Sequence, residues 1–293
     1  MSKVISLYRE EINSRLKSYM TPKETLEGAE VLNDAMSYSL LDGGKRIRPI
    51  MSLGFCTLCG GDYKLALPFA CAVEMVHCYS LIHDDLPCMD NDTLRRGKPT
   101  NHVIYGEALA LLAGDGLFTK AFETAAEAKG IDAEERIEAV LILSKFAGAQ
   151  GMIGGQCIDL TLNEGVVSAD ILRQMDMGKT VALIAAACQL GCIAAKADRE
   201  LVRAAKEYAE YVGMAFQIRD DVLGMIGDKA SLGKTVGLDA ENGKVNYVSF
   251  LGVDAAQALV EDYTQKAVEV LDRFPGDTMP LKELTRDLVE RMI

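Results

Sequence analysis

The chain has 293 residues, 49% of them apolar and 25% charged, with 31 basic against 43 acidic residues for a net charge of −12. That is globular composition, and the acidic balance excludes a general nucleic-acid or anionic-membrane surface, which would need an excess of Lys and Arg. Eight cysteines sit mostly inside apolar, Ala-rich segments without a repeating spacing, and so read as small buried hydrophobes of a reducing compartment rather than a disulfide framework.

From the N-terminus, "MSKVISLYREEINSRLKSYM" reads as an amphipathic helix without the apolar core of a signal peptide. "GGKRIRP" follows, with Lys45, Arg46 and Arg48 behind two glycines, which let backbone approach an anion closely. Cys56 and Cys59 form a CxxC with no second pair and no His partner, so zinc is not expected there.

An apolar helix then runs into "HDDLPCMDND". Asp84 and Asp90 would lie about 120° apart around an ideal helix and share no face. Pro87 bars a regular helix through the cluster, because it has no N–H to donate and pushes Leu86 away from helical geometry. The spacing therefore predicts a helix ending near Asp84 and Asp85, with Asp90 folding back from the following turn. "LRRGKP" sets Arg95, Arg96 and Lys98 directly beyond it.

No proline occurs between Pro99 and Pro275, and segments such as "AEERIEAVLILSKFAGAQ" carry apolar residues at helical spacing. "MGKT" contributes Lys179 and Thr180, and the apolar run from Thr180 reads as too short for a membrane span. A second adjacent carboxylate pair, Asp220 and Asp221, lies in "FQIRDDVLG" at the end of a long amphipathic pattern. Carboxylates at a helix C-terminus oppose its dipole unless a cation compensates, and oxygen-only ligation suits Mg²⁺ with substrate phosphates. Lys234 in "SLGKT" and Lys244 in "NGKVN" add lysines beside glycine; "DKASLGKT" fails as a P-loop because Asp228 stands where the motif wants glycine. No strand alternation, linker or repeat is found, so the expectation is one all-α domain over 1–293, a bundle of about ten or more helices around a central, largely apolar cavity. Basic turns beside acidic pairs point to a phosphorylated substrate shared between Mg²⁺ and Arg.

This constellation resembles the trans-isoprenyl diphosphate synthases, most closely the short-chain bacterial type that makes farnesyl diphosphate. "GGKRIRP", "EMVHCYSLIHDDLPCMDNDTLRRGKPT", "GGQCIDL", "MGKT", "FQIRDD" and "LGK" occur in that family's order along nearly the whole chain. The resemblance implies that Asp84, Asp85 and Asp90 hold two Mg²⁺ and that Asp220, with Asp221 beside it, holds a third, with no organic cofactor. It implies that Arg95, Lys179 and Lys234 grip an allylic diphosphate, that Lys45, Arg48, His77 and Arg96 bind isopentenyl diphosphate, and that Thr180 and Gln217 lie by the reacting carbons. Lys244 is a further candidate substrate-binding lysine. Tyr79, next to the small Ser80 and five residues before Asp84 on the helix leading into it, would be the floor that limits chain length. The second motif departs from the family's DDxxD, with Gly224 in the fifth position and Asp228 a turn beyond.

The implied activity is head-to-tail condensation of isopentenyl diphosphate with dimethylallyl or geranyl diphosphate, ending at (E,E)-farnesyl diphosphate, with geranylgeranyl or geranyl diphosphate synthase as the alternative. A terpene cyclase would not need the second diphosphate site made by "GGKRIRP", His77 and Arg96, and a non-catalytic subunit would be expected to lose the first aspartate motif. A metal-dependent phosphohydrolase is a more remote alternative. A cytoplasmic homodimer without membrane insertion or nucleic-acid partner is expected.

Overall fold

The computed structural model describes residues 3–21, 26–161, 168–226 and 246–290. Helices α1 (Lys3–Met20), α2 (Glu30–Leu40), α3 (Ile47–Leu58) and α4 (Tyr63–Asp84) precede a short hairpin, β1 (Leu94–Arg95) and β2 (Lys98–Pro99). Then come α5 (Asn101–Tyr105), α6 (Glu107–Ala126), α7 (Ala133–Ala147), α8 (Met152–Thr161) and α9 (Ala169–Asp176). A π-helical turn (Met177–Val181) leads into α10 (Ala182–Ala194), followed by α11 (Arg199–Ile226), α12 (Tyr247–Leu251), α13 (Val253–Leu271) and α14 (Met279–Glu290). The all-α expectation is met, apart from the two-residue strands, which are too short to show an alternating pattern.

Burial explains the arrangement. Every residue of α10 is buried, and α10 packs against α3, α4, α7 and α11, so the Ala-rich run forms the central rod of the bundle. Helix α4 lies beside it, in contact with α3 and α6, and its buried residues run from Ala66 to Ile82. Helix α1 packs on α3 and α4 with Ile5, Tyr8, Ile12, Leu16 and Met20, a stripe at three- and four-residue spacing. Where α3 begins, Arg46 sits in the left-handed region (φ 54°), and its buried guanidinium donates to Glu74 at 2.6 Å, Leu40 O at 2.8 Å and Asn13 at 3.0 Å. Such a fully satisfied buried ion pair is costly to break from one side, so Arg46 is the structural member of "GGKRIRP".

One expectation is corrected here. The apolar run at Thr180 does not stop short: continuous with α9 and the π turn, Ala169–Ala194 is long and apolar enough to cross a membrane by length and composition, as are Tyr63–Asp84 and Ala133–Thr161. In the first two, 78% of the apolar window is buried inside the bundle, so that apolarity serves the core. Only 28% is buried in the third, and α7 leaves Ile137 70% and Leu141 64% exposed.

Candidate active site

One wall of the site is built by the end of α4. The helix stops at Asp84, and the chain then turns back, with Asp90 N donating to Asp84 O at 2.9 Å and Asn91, at φ 54°, donating to Leu86 O at 3.1 Å. Asp84 and Asp90 are thereby neighbours through the backbone, as the proline in the motif predicts. The hairpin follows, with Arg96 (φ 52°) and Gly97 (φ 78°) as a two-residue turn whose left-handed pair matches the twist of the strands. Thr100 braces its base by donating from Oγ1 to Asp92 O at 2.7 Å.

This turn returns Arg95 to Asp85. Its Nε lies 2.9 Å from each carboxylate oxygen and its Nη2 lies 2.6 Å from Oδ1, a forked grip. Burial outweighs that grip and leaves the Asp85 carboxyl above its ordinary value. Asp84 Oδ1 instead accepts from Gln156 Nε2 at 2.6 Å, and burial pushes its carboxyl up to about 6 against the pull of Lys179. Among the described residues no three His, Cys, Asp or Glu side chains are already grouped as a metal cluster.

Basic residues gather beside this wall. His77, Asp85, Arg46, Arg95 and Arg96 line one cleft. Arg96 Nη1 donates to Gly43 O at 2.8 Å and lies over Gly44, where a Cβ would come within 2.9 Å of it, so the paired glycines make room for this guanidinium. Burial, then Arg48, Arg96, Arg95 and Arg46, holds the His77 imidazole well below its usual pKa, so it is a neutral hydrogen-bonding ring among cations. Arg48 has its pKa drawn down by burial with Glu74 opposing, and its Nε has no hydrogen-bond partner. Lys45 is exposed at the turn before Arg46.

The facing wall comes from α8, the π turn and α11. Gly155 and Gly178 bring the first two together backbone to backbone: a Cβ on Gly155 would stand 2.1 Å from Lys179 N, and one on Gly178 would stand 2.8 Å from Gly155 Cα. The approach places Lys179 in an ion pair with Asp159 and places Gln156 on Asp84. A π turn widens the helix locally and is frequent at functional sites, and this one carries both residues of "KT". Thr180 Oγ1 donates to Gln217 Oε1 at 3.1 Å, so the two residues expected by the reacting carbons do meet. Asp221 Oδ2 accepts from Tyr247 N at 3.0 Å, and Asp220 precedes it on α11. Lys234, Lys244 and Asp228 lie outside the described residues.

Below Asp84, Tyr79 is buried, with its ring 4.6 Å from Phe118 and 5.6 Å from His83, and Phe118 meets Phe122 edge to face at 5.1 Å. Burial, then Asp84, pushes the Tyr79 hydroxyl up to about 12, and its oxygen has no hydrogen-bond partner. Ser80 turns back to its own helix, donating to His77 O at 2.9 Å.

Sequence reasoning assigns no role to Gln156, Asp159, Asp176 or Phe118. The first two were signalled by their three-residue spacing in "GGQCIDL", which puts an amide and a carboxylate on one helical face. Phe118 carries no local signal, since its meeting with Tyr79 is tertiary. Asp176 is buried and its Oδ2 has no partner; burial, then Asp221 and Asp159, pushes its carboxyl up to about 8. In the CxxC the two thiols turn to different partners: Cys56 Sγ donates to Asp62 O at 3.3 Å while Cys59 faces Cys192 at 3.6 Å.

Two acidic walls and an Arg-lined cleft in an all-helical bundle define an isoprenoid synthase fold. The polyprenyl synthetase family model matches residues 29–275. The chain is 40% identical over 284 residues to a chloroplastic geranylgeranyl pyrophosphate synthase of Catharanthus roseus, covering 96% of this chain and 78% of that one. It is 41% identical over 250 residues to the farnesyl diphosphate synthase of Bacillus subtilis (strain 168), covering 85% and 84%. The crystal structure of geranylgeranyl pyrophosphate synthetase from Pyrococcus horikoshii superposes with a TM-score of 0.89 at 32% identity, covering 99% of this chain and 98% of that one. The chain belongs to the polyprenyl synthetase family, a family of prenyltransferases.

Proposed function

We propose that this protein joins isopentenyl diphosphate head-to-tail to dimethylallyl or geranyl diphosphate, releases diphosphate and stops at (E,E)-farnesyl diphosphate. The observation that carries the end point is the buried Tyr79–Phe118 contact, about 7.5 Å along α4 from Asp84, five residues at 1.5 Å each. A chain growing down α4 meets an aromatic floor one turn below the carboxylates.

The carboxylates fit Mg²⁺. Their donor set is oxygen only, Asp90 is folded back onto Asp84, and the partly buried Asp84 feels the charges of Asp90 and Asp85 and accepts from the Gln156 amide. Asp84, Asp85 and Asp90 would hold two ions and Asp220 with Asp221 a third; bound there, Mg²⁺ supplies Lewis-acid neutralisation of the leaving diphosphate. Arg95 and Lys179 then add cationic donors to that diphosphate, exchanging Asp85 and Asp159 for phosphate oxygens. Arg48, Arg96 and Lys45 hold isopentenyl diphosphate, with neutral His77 able to donate without adding charge. As the allylic C–O bond breaks, its electron pair leaves with the diphosphate. The double bond of isopentenyl diphosphate supplies the electrons of the new C–C bond, and a proton passes from the adjoining carbon to the released diphosphate. Thr180 and Gln217 turn oxygen dipoles toward the transient cation, and the apolar bundle keeps water from quenching it.

A geranylgeranyl end point is the second reading, favoured by the names of several relatives. Incubation with Mg²⁺, isopentenyl diphosphate and each allylic primer, followed by product sizing, separates them. The natural chain is expected to stop at fifteen carbons and Tyr79→Ala to pass to twenty or more. Twenty-carbon product from the natural chain, or an unchanged spectrum from the variant, would remove Tyr79 as the floor. A homodimer is proposed as well, supported by the exposed Ile137 and Leu141 one turn apart on α7 and by Leu111 and Leu112 on α6.

A further inference from the structure

Helix α9 ends in a carboxylate that none of the recognised motifs explains. Asp176 is 2% exposed, and its Oδ2 is buried without a hydrogen-bond partner. Its position follows from two helical repeats. Asp176 lies one turn before Thr180, and four residues return to one face whether that turn is wound as α or π. On α11, Gln217 lies one turn before Asp221. The Thr180 hydroxyl meets Gln217 at 3.1 Å, so the next rung of the same antiparallel pair sets Asp176 against Asp221.

Asp221 and Asp159 bear on Asp176 with negative charge, and Lys179, which opposes them, is paired with Asp159. Asp221 takes a backbone N–H from Tyr247, while the Tyr247 hydroxyl, also buried, has no partner of its own. On the open side of α11, where the family's motif would place a third carboxylate, Gly224 faces space: a Cβ there meets nothing within 4 Å.

We propose that Asp176 is a ligand, from the opposite helix, of the divalent cation held by the Asp220–Asp221 pair, and that it does across the helix interface what a carboxylate at position 224 would do along α11. This rests on the reading of Asp220 and Asp221 as a cation site. Hard oxygen donors from α9 and α11 then share one ion, and the unsatisfied Oδ2 acquires its partner when the ion binds. The ion thereby pins the π turn bearing Lys179 and Thr180 against α11.

The test is Mn²⁺ binding by the full chain in the presence of inorganic diphosphate, followed by the paramagnetic signal of free Mn²⁺, with far-ultraviolet circular dichroism to verify folding. Asp176→Asn is expected to weaken one class of sites about tenfold or more, as Asp221→Asn does, and Gly224→Asp added to Asp176→Asn is expected to restore most of the loss. Weakening by Asp221→Asn but not by Asp176→Asn overturns the proposal and leaves the cation site standing. No change in either variant removes the cation site itself. A higher melting temperature for Asp176→Asn with unchanged Mn²⁺ affinity would mean that the two carboxyls merely share a proton, and also overturns it. Should Asp176→Asn not fold, Gly224→Asp alone decides: little change is expected because the site is already complete, and a tightening of about tenfold refutes the role of Asp176.

Discussion

At the end of α4, Asp85 lies in the fork of Arg95 and Asp84 accepts from Gln156; on the facing wall, the backbone N–H of Tyr247 donates to Asp221 and Asp176 Oδ2 has no hydrogen-bond partner. The residue types are the same, and the difference lies in what surrounds them. A hairpin with its own left-handed turn delivers a guanidinium to Asp85 on the first wall. The second wall brings Asp221 and Asp159 toward the buried Asp176, whose Oδ2 has no hydrogen-bond partner. On the proposed function, one wall meets the diphosphate with a carboxylate already held by an arginine, and the other with a buried Asp176 that gains a partner when a cation binds.

The largest effect is expected from making the first wall like the second. Arg95→Ala removes the cation on buried Asp85 and, on the proposed mechanism, a donor to the leaving diphosphate, so kcat should fall by about 10²–10³-fold and the melting temperature should drop as well. A loss under tenfold with unchanged melting would show that the fork matters to neither. Next, Lys179→Met strips the second wall of the cation on Asp159 and should lower kcat by about 10²-fold. Because Lys179 also opposes the upward shift of Asp84, the Asp84 carboxyl should titrate higher in that variant, and an unmoved titration followed by NMR would count against any coupling between the walls.

The smallest effect is on stability. The Asp84 carboxyl is raised in the folded state from about 3.9 in an unfolded chain to about 6. Folding therefore favours its protonated form: the contribution is complete below about pH 4 and is lost as pH rises through about 6. In chelator, Asp84→Asn should consequently gain stability over the natural chain as pH climbs across that window. Denaturant melts between pH 4 and 7 would read this, and a pH-independent difference would mean that the carboxylate is already compensated.

Much of this was legible along the chain. Apolar periodicity and the proline-free interval disclose the long helices, and Pro87 alone predicts the fold-back that seats Asp90 on Asp84. The role of Arg46 was not legible, because it is spaced like Lys45 and Arg48 yet turns inward to Glu74. Nor was the membrane-length character of Ala169–Ala194, which emerges only when α9, the π turn and α10 run on as one helix.

Local chemistry determines where helices stop, which turns can bend and where carboxylates cluster, since those depend on neighbours within a few residues. Tertiary packing decides which carboxylate receives a donor. Asp84 meets Gln156, Tyr79 meets Phe118 and Asp176 faces Asp221 only because small side chains let the bundle close around α4 and α10. Such meetings between residues distant in the chain leave no periodic trace in the order of amino acids.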